Sequence, residues 1–355
     1  MNRSSVGRDG QHDVRPEREA LTGAAGAAGA RSNGSGGRRG GRRRGRDEPQ
    51  FTSYYGRPII KEPTWEALDI AGYLFLGGLA GASSIVGAGA SATGRPVLAR
   101  TAKCGALGAI TLSLVALVHD LGRPDRFLHM LRVVKPTSPM SMGVWLLSAY
   151  APIAGVAAAS DVSGRARPLG AAATAAAAGL GSAVASYTAV LVADTAVPAW
   201  HEGFRELPFV FVGSAAAAAA GLGLLGAPVR ETGPVRRLAI GGVIVEVTAV
   251  KLLERRLGCI AETLKQGRAG RLMHAAEALS AAGLVLAALP ATRGSRAAAA
   301  MAGACLLAAS AATRFGIFEG GLASARDPQY TVGPQRERLA ARATPEGPPG
   351  AARTA

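Results

Sequence analysis

Long runs of apolar residues alternate with short polar connectors along most of this chain. Each run has about the 17–25 residues that a helix needs to cross a membrane core of about 30 Å. The runs lie near residues 69–92, 98–119, 141–160, 168–193, 207–227, 236–253, 273–290 and 297–315. The sixth is the weakest, because Glu246 interrupts it. Period-two alternation, typical of membrane barrel strands, is absent. The pattern predicts an all-α membrane protein of eight transmembrane helices packed as bundles.

The two ends of the chain differ from this apolar middle. Residues 1–50 contain 11 arginines and 6 acidic residues among many Gly and Ala. Such a segment cannot bury a core, so we predict a disordered basic tail. An export signal is another interpretation of the arginine run, but no apolar segment follows it closely. We expect residues 51–320 to form the transmembrane domain and the proline-rich residues 321–355 to form a flexible C-terminal tail.

The net charge of +16 bears on topology rather than on nucleic acid. The basic residues are not interleaved with aromatics, and no nucleic-acid-binding motif is visible, so we expect no nucleic-acid partner. An even number of spans puts both termini on one side, which we call the terminal side. The connectors of the two sides carry nearly equal numbers of Lys and Arg. Arg57, Lys61 and Arg314, near span ends on the terminal side, favour cytoplasmic termini in the cell (plasma) membrane.

Metal and haem sites are disfavoured by the spacing of Cys and His. Cys104, Cys259 and Cys305 are far apart and form no CxxC pair, which argues against a zinc or iron–sulfur site and gives no support for disulfides. A haem held between two membrane depths needs histidines inside the spans. The histidines near spans all fall toward the terminal side, and none is mid-span: His119, His129, His201 and His274.

Candidate chemistry concentrates in the terminal-side connectors. Tyr187 and Asp194 are seven residues apart, which predicts that they share a helix face. A hydroxyl and a carboxylate on one stripe can hydrogen-bond a ligand carbonyl and relay its proton. His201 titrates near neutrality and could join that transfer. Trp200 is a candidate cofactor contact, with an interfacial anchor as the alternative.

A second candidate group follows the second span. Asp120 is a carboxylate at a helix end, which needs pairing or hydration at a membrane surface. Arg123 lies within one turn and is a candidate ligand contact. The alternative is a structural ion pair with Asp120. Glu246 and Glu277, inside the sixth and seventh spans, are candidates for a proton path.

Three segments resemble the NrfD-type family, the membrane subunits of polysulfide reductase and related complexes. The first is YYGRPIIKEPTW at 54–65, and the second is DLGRPDRFLHMLRVVKPTSPMSMGVW at 120–145. The third is YTAVLVADTAVPAWHE at 187–202, which is followed by RELPFVFVGSA at 205–215. Together with the predicted spans, the resemblance covers roughly residues 51–320.

The resemblance implies a subunit that binds a quinone or quinol, menaquinone or ubiquinone, near one membrane face and holds no haem or iron–sulfur cluster. It implies a four-cluster, ferredoxin-like iron–sulfur partner and a molybdopterin-type catalytic subunit. The motif combination also resembles the type associated with formate dehydrogenase. Tyr187 matches a family quinone contact, and Asp194 and Asp120 fall in matching motifs. The family's polar first-helix contacts have no clear counterpart in residues 69–73.

A second class of function remains open from the residues. A proton channel or transporter-like bundle without quinone chemistry would use Glu246 and Glu277 to line its path. Transporters often contain internal repeats and broken helices, and neither is clear in this sequence.

Overall fold

The computed structural model describes residues 59–121, 129–290 and 294–343. For the last four of these residues it describes the backbone alone. The described chain is helical, and its nine longer helices are numbered here in chain order. They are α1 Ala67–Ala92, α2 Pro96–Asp120, α3 Pro139–Ser163, α4 Arg167–Ala193, α5 Leu207–Gly226, α6 Gly233–Leu257, α7 Gly267–Ala288, α8 Arg296–Arg326 and α9 Gln329–Ala343. Single turns at Pro198–His201 and Glu262–Lys265 lie in the connectors. The predicted disordered tail, residues 1–50, lies outside the described residues.

Six of these helices are long and apolar enough to cross a membrane: α1 to α5 and α8. The helices α6 and α7 coincide with the sixth and seventh predicted spans but do not meet that criterion. Charged side chains explain the difference, since α6 carries Glu246 and Lys251 within its length and α7 carries Glu277. A multi-pass helical membrane protein is therefore the architecture, and the predicted count of eight transmembrane helices is not confirmed.

The long helices close into two four-membered rings. In the first ring, α1 packs on α2, α2 on α3, α3 on α4 and α4 on α1. In the second, α5 packs on α6, α6 on α7, α7 on α8 and α8 on α5. The two rings meet chiefly through α1 and α5. Burial follows this arrangement, because 78% of the most apolar window of α1 is buried and only 33% of that of α2.

Reciprocal glycine contacts bring the helix backbones together at three crossings. At each crossing a Cβ on either glycine would meet the carbonyl oxygen of the other, at 2.6 Å for Gly181, 2.8 Å for Gly242 and 2.7 Å for Gly221. The pairs are Gly81 with Gly181 between α1 and α4, Gly213 with Gly242 between α5 and α6, and Gly221 with Gly303 between α5 and α8. Small residues allow this close approach, on which helix packing in lipid depends. Gly81 and its partners therefore have a packing role.

The terminal side is held together by contacts between helix ends. Arg326 at the end of α8 binds Glu62 at 2.5 Å, and Arg338 in α9 binds Glu202 at 2.5 Å. Arg256 at the end of α6 binds Glu206 at 3.2 Å. Residues 321–343, predicted as part of a flexible tail, thus contain the end of α8 and the helix α9.

Candidate functional site

A cavity of about 280 Å³ opens among the terminal-side ends of α1, α2, α3 and α4. We call it the Tyr187 cavity. Four of its lining residues carry polar groups: Trp65, Tyr73, Asp120 and Tyr187. Gly143 and apolar side chains complete the wall: Ile70, Leu117, Leu121, Met130, Met140, Val144, Leu147, Leu191 and Val192. A mostly apolar pocket with a few convergent polar groups is typical of a small-molecule site.

Tyr187 is positioned by the first turn of α3. Its hydroxyl donates a short hydrogen bond to the backbone carbonyl of Pro139. The phenol packs against the backbone at Gly143, where an added Cβ would overlap the hydroxyl. Glycine at this position therefore leaves room for the Tyr187 ring, and the half-buried phenol faces the cavity.

Asp120 ends α2 at the mouth of the same cavity. One carboxylate oxygen accepts a hydrogen bond from the backbone N–H of Glu66 at 3.3 Å, which ties α2 to the start of α1. The preceding residue, His119, makes a 2.7 Å contact through Nδ1 with the carboxylate of Asp69 on α1. The His119 side chain is 73% exposed whereas that of Asp69 is 12% exposed. Two carboxylates and an imidazole thus lie at adjacent helix ends, where a proton can pass between water and the cavity.

Asp194 and His201 line a different cavity, of about 630 Å³, which we call the connector cavity. It lies between residues 59–60, the connector after α4 and the helix α9. Both side chains belong to exposed residues. Tyr330 of α9 lines the opposite wall, and its burial raises the pKa of the phenol above its usual value. The lining of the connector cavity is more polar than that of the Tyr187 cavity.

Trp200 is fully buried between the two cavities and lines neither of them. Its indole Nε1 donates to the carbonyl of Ile317 at 2.9 Å. The ring stacks on Trp65 with centroids 5.9 Å apart and packs on Phe318 at 5.5 Å. Trp200 therefore lies neither at an exposed interface nor in the wall of either cavity. It packs against Trp65, which does line the Tyr187 cavity.

The predicted site residues are thus divided. Tyr187 and Asp120 come together, whereas Asp194 and His201 lie at the connector cavity. Tyr187 and Asp194 are therefore not brought to one site, since Tyr187 lines one cavity and Asp194, the C-cap residue of α4, lines the other. Arg123, the remaining predicted contact, lies outside the described residues.

Two aromatic residues of the site were missed in the sequence. Tyr73 is one helical turn from Asp69 on α1 and lines the Tyr187 cavity, so the first helix does supply polar groups. Trp65 appeared in the sequence only as the last residue of the segment 54–65 and was not chosen as a site residue. The signal that could have found Tyr73 is its spacing of four from Asp69, which places both on one face of α1.

The fold and the site define a multi-pass helical membrane protein with a ligand-sized cavity at one end of its first helix ring. A sequence profile of the family described as polysulphide reductase, NrfD, matches residues 61–233. The match runs from before α1 to the start of α6, just under half of the chain, and supports the resemblance to the NrfD family. The family implies a membrane subunit of a redox complex. No curated protein sequence matches the chain.

Proposed function

We propose that this chain is the quinone-reactive membrane subunit of a respiratory oxidoreductase complex, and that the quinone head group binds in the Tyr187 cavity. The observation that carries the proposal is the convergence of Tyr187 and Asp120 on one mostly apolar cavity of about 280 Å³. This volume lies just below the range for ligand pockets, roughly 300–1,000 Å³. It suits a planar head group whose isoprenoid tail remains in the lipid.

The cavity residues have distinct roles in this proposal. Reduction of a bound quinone takes up two electrons and two protons. The Tyr187 hydroxyl on the cavity wall donates its hydrogen bond to the Pro139 carbonyl in the structure. A ligand carbonyl would compete for this hydrogen bond. Asp120 holds an exchangeable proton at the mouth, and the neighbouring Asp69–His119 pair connects it to water. Trp65 and the apolar side chains orient the head group and exclude water.

The connector cavity has a supporting role. Asp194 and His201 lie on the terminal side, outside the Tyr187 cavity, where they can pass protons at the surface. We propose that the electron donor or acceptor is a four-cluster, ferredoxin-like iron–sulfur subunit docked on this side. A molybdopterin-type catalytic subunit, with formate dehydrogenase as one form, would complete the complex. The termini would be cytoplasmic in the cell membrane, and the quinone a menaquinone or a ubiquinone.

Tryptophan fluorescence tests the binding directly, because the chain has three tryptophans and one lines the cavity. A short-chain menaquinone analogue is titrated into the purified chain in lipid nanodiscs. We expect saturable quenching whose amplitude falls strongly in Trp65→Phe. Trp145→Phe is the matched control, since Trp145 bonds to the Val133 carbonyl at 3.3 Å and does not line the cavity.

Variants of the polar groups then locate the site. Tyr187→Phe removes a hydrogen-bonding hydroxyl worth about 1–1.5 kcal/mol, so the Kd should rise about tenfold. Asp120→Asn keeps a hydrogen-bonding amide but removes the ionisable carboxyl, so it should raise the Kd less. Tyr330→Phe and Asp161→Asn are matched controls; Tyr330 lines the connector cavity, and Asp161 pairs with Lys103 at 2.8 Å. Equal effects from the controls, or no effect from Tyr187→Phe and Asp120→Asn together, would refute the assignment.

A further inference from the structure

The second helix ring contains a cavity of its own, of about 240 Å³, lined by α6, α7, α8 and the turn Glu262–Lys265. We call it the Glu246 cavity. Lys251 and Glu277, with side chains 51% and 60% exposed, lie at its outer part. Ser280 and Thr313 are buried and lie at its inner part, beside Glu246. The cavity therefore leads from the surface into the ring, and its volume accommodates several water molecules.

Glu246 is buried at this inner part with an incomplete set of hydrogen bonds. The residue is 4% exposed. One carboxyl oxygen, Oε1, accepts from the Thr313 hydroxyl at 2.7 Å. The other, Oε2, has no hydrogen-bond partner within the described chain. A buried carboxylate is costly in a membrane unless it is paired, hydrated or protonated.

Arg314, one residue after Thr313 on α8, does not complete the site as a salt bridge. Its Nη2 donates to the Phe211 carbonyl at 2.7 Å, and its guanidinium lies 3.9 Å from the centroid of the Phe211 ring. Its Nε and Nη1 are buried and have no partner among the described residues. No salt bridge therefore joins Glu246 and Arg314 in the described structure. A structural ion pair would leave neither group without partners.

We propose that Glu246 is a proton-binding site, which exchanges protons with water on the terminal side through the Glu246 cavity. In this exchange the carboxylate takes up one proton from a hydronium ion, and a water molecule is released. The site lies in the second ring, apart from the Tyr187 cavity, so the inference goes beyond the proposed quinone function and does not rest on it.

Charged and titratable groups line the cavity from α6, α7 and the turn Glu262–Lys265. Helix α6 contributes Lys251 and Glu254, α7 contributes His274 and Glu277, and the turn contributes Lys265. Arg314 of α8 follows Thr313 in sequence but does not line the cavity. Helix α5 has no charged residue along its length. Outside the ring core, Lys251 joins Glu254 at 3.8 Å and Glu277 at 3.7 Å, so the outer part of the cavity is already paired. These outer pairs leave Glu246 as the buried carboxyl group of the cavity with an open oxygen in the described chain.

Infrared difference spectra between two pH values test the proton directly on the full chain in lipid. We expect a carboxyl C=O band that disappears in Glu246→Gln and persists in Glu277→Gln, the matched control at the cavity's outer part. Thr313→Val should move the band to higher frequency, because the hydrogen bond to Oε1 is lost. An unchanged set of bands in Glu246→Gln would overturn the proposal.

Thiol accessibility tests the route independently of Glu246. In a background with Cys104, Cys259 and Cys305 replaced by Ser, Ser280→Cys places a thiol in the cavity wall. Ser310→Cys is the matched control, because Ser310 is buried at 1% exposure and bonds to Ser214 at 2.8 Å.

We expect a small, water-soluble methanethiosulfonate to modify Ser280→Cys at least about tenfold faster than Ser310→Cys, from the terminal side only. Equal rates, or reaction from the other side, would overturn the route. Quinone binding measured by tryptophan quenching is a separate readout, so either proposal can fail alone.

Discussion

Gly143→Ala is the sharpest structural test of how Tyr187 is held. The added Cβ would overlap the phenol oxygen and two ring carbons of Tyr187. The backbone of α3 cannot yield without breaking its helical bonds, so the tyrosine must move. The tyrosine can move because its aromatic ring borders a cavity. We therefore expect a local change in the cavity rather than unfolding of the four-helix ring.

The size of the effect follows from the contacts that are lost. Tyr187 gives up its hydrogen bond to the Pro139 carbonyl, worth about 1 kcal/mol. Leaving its preferred rotamer costs about another 1 kcal/mol. The helix gains about 0.5–1 kcal/mol from replacing Gly by Ala. Displacing Tyr187 from its native position therefore has a net cost of about 1–1.5 kcal/mol. This corresponds to roughly a tenfold rise in the Kd of a quinone analogue.

Tryptophan quenching by the analogue gives that Kd, and thermal unfolding gives the stability. Gly155→Ala is the control on the same helix, since its Cβ would lie 3.8 Å from its nearest neighbour, Leu107 Cδ1. We expect an unchanged Kd there. In a Tyr187→Ala background the methyl at residue 143 has no ring to displace, so Gly143→Ala should then have no further effect. A full effect in that background, or none in the native one, would refute the reasoning.

Two further substitutions test the packing that positions the site. Gly81→Ala places a Cβ against the Gly181 carbonyl, where the backbone cannot yield, and should lower stability by about 1–3 kcal/mol in thermal unfolding. Gly89→Ala is the control and should leave stability unchanged, because its Cβ would have nothing within 4 Å. Gly321→Ala overlaps the Trp200 indole and should shift the tryptophan emission as well as lower stability by a similar amount; an unchanged emission spectrum would show that the indole is not held there.

The positions of the helices could be predicted from apolar periodicity alone. The eight predicted runs match the long helices α1 to α8, with only the fifth and seventh runs extending one or two residues beyond a helix end, because burial in lipid leaves the backbone no partner but itself. Whether α6 and α7 cross the membrane could not be predicted in the same way. Glu246 and Glu277 are charged side chains whose partners come from other helices, and hydropathy contains no information about those contacts.

The candidate site was only partly predictable, for a geometric reason. Tyr187 and Asp120 could be chosen from their motifs, and the structure brings them to one cavity. Asp194 was grouped with Tyr187 by helical spacing, but it caps the end of α4 and lines the connector cavity, which spacing along one helix does not reveal. Tyr73 was missed because its role depends on how α1 packs against the ends of α2, α3 and α4.

Photo-cross-linking of a quinone tests the central claim most directly. A photoreactive short-chain menaquinone analogue is irradiated with the purified chain in lipid, with and without excess unlabelled quinone, and the labelled peptides are identified. We expect competed label within residues 65–73, 117–121, 130–147 and 187–192, the segments that line the Tyr187 cavity. Competed label confined to residues 246–280, around the Glu246 cavity, or no competed label at all, would contradict quinone binding in the Tyr187 cavity.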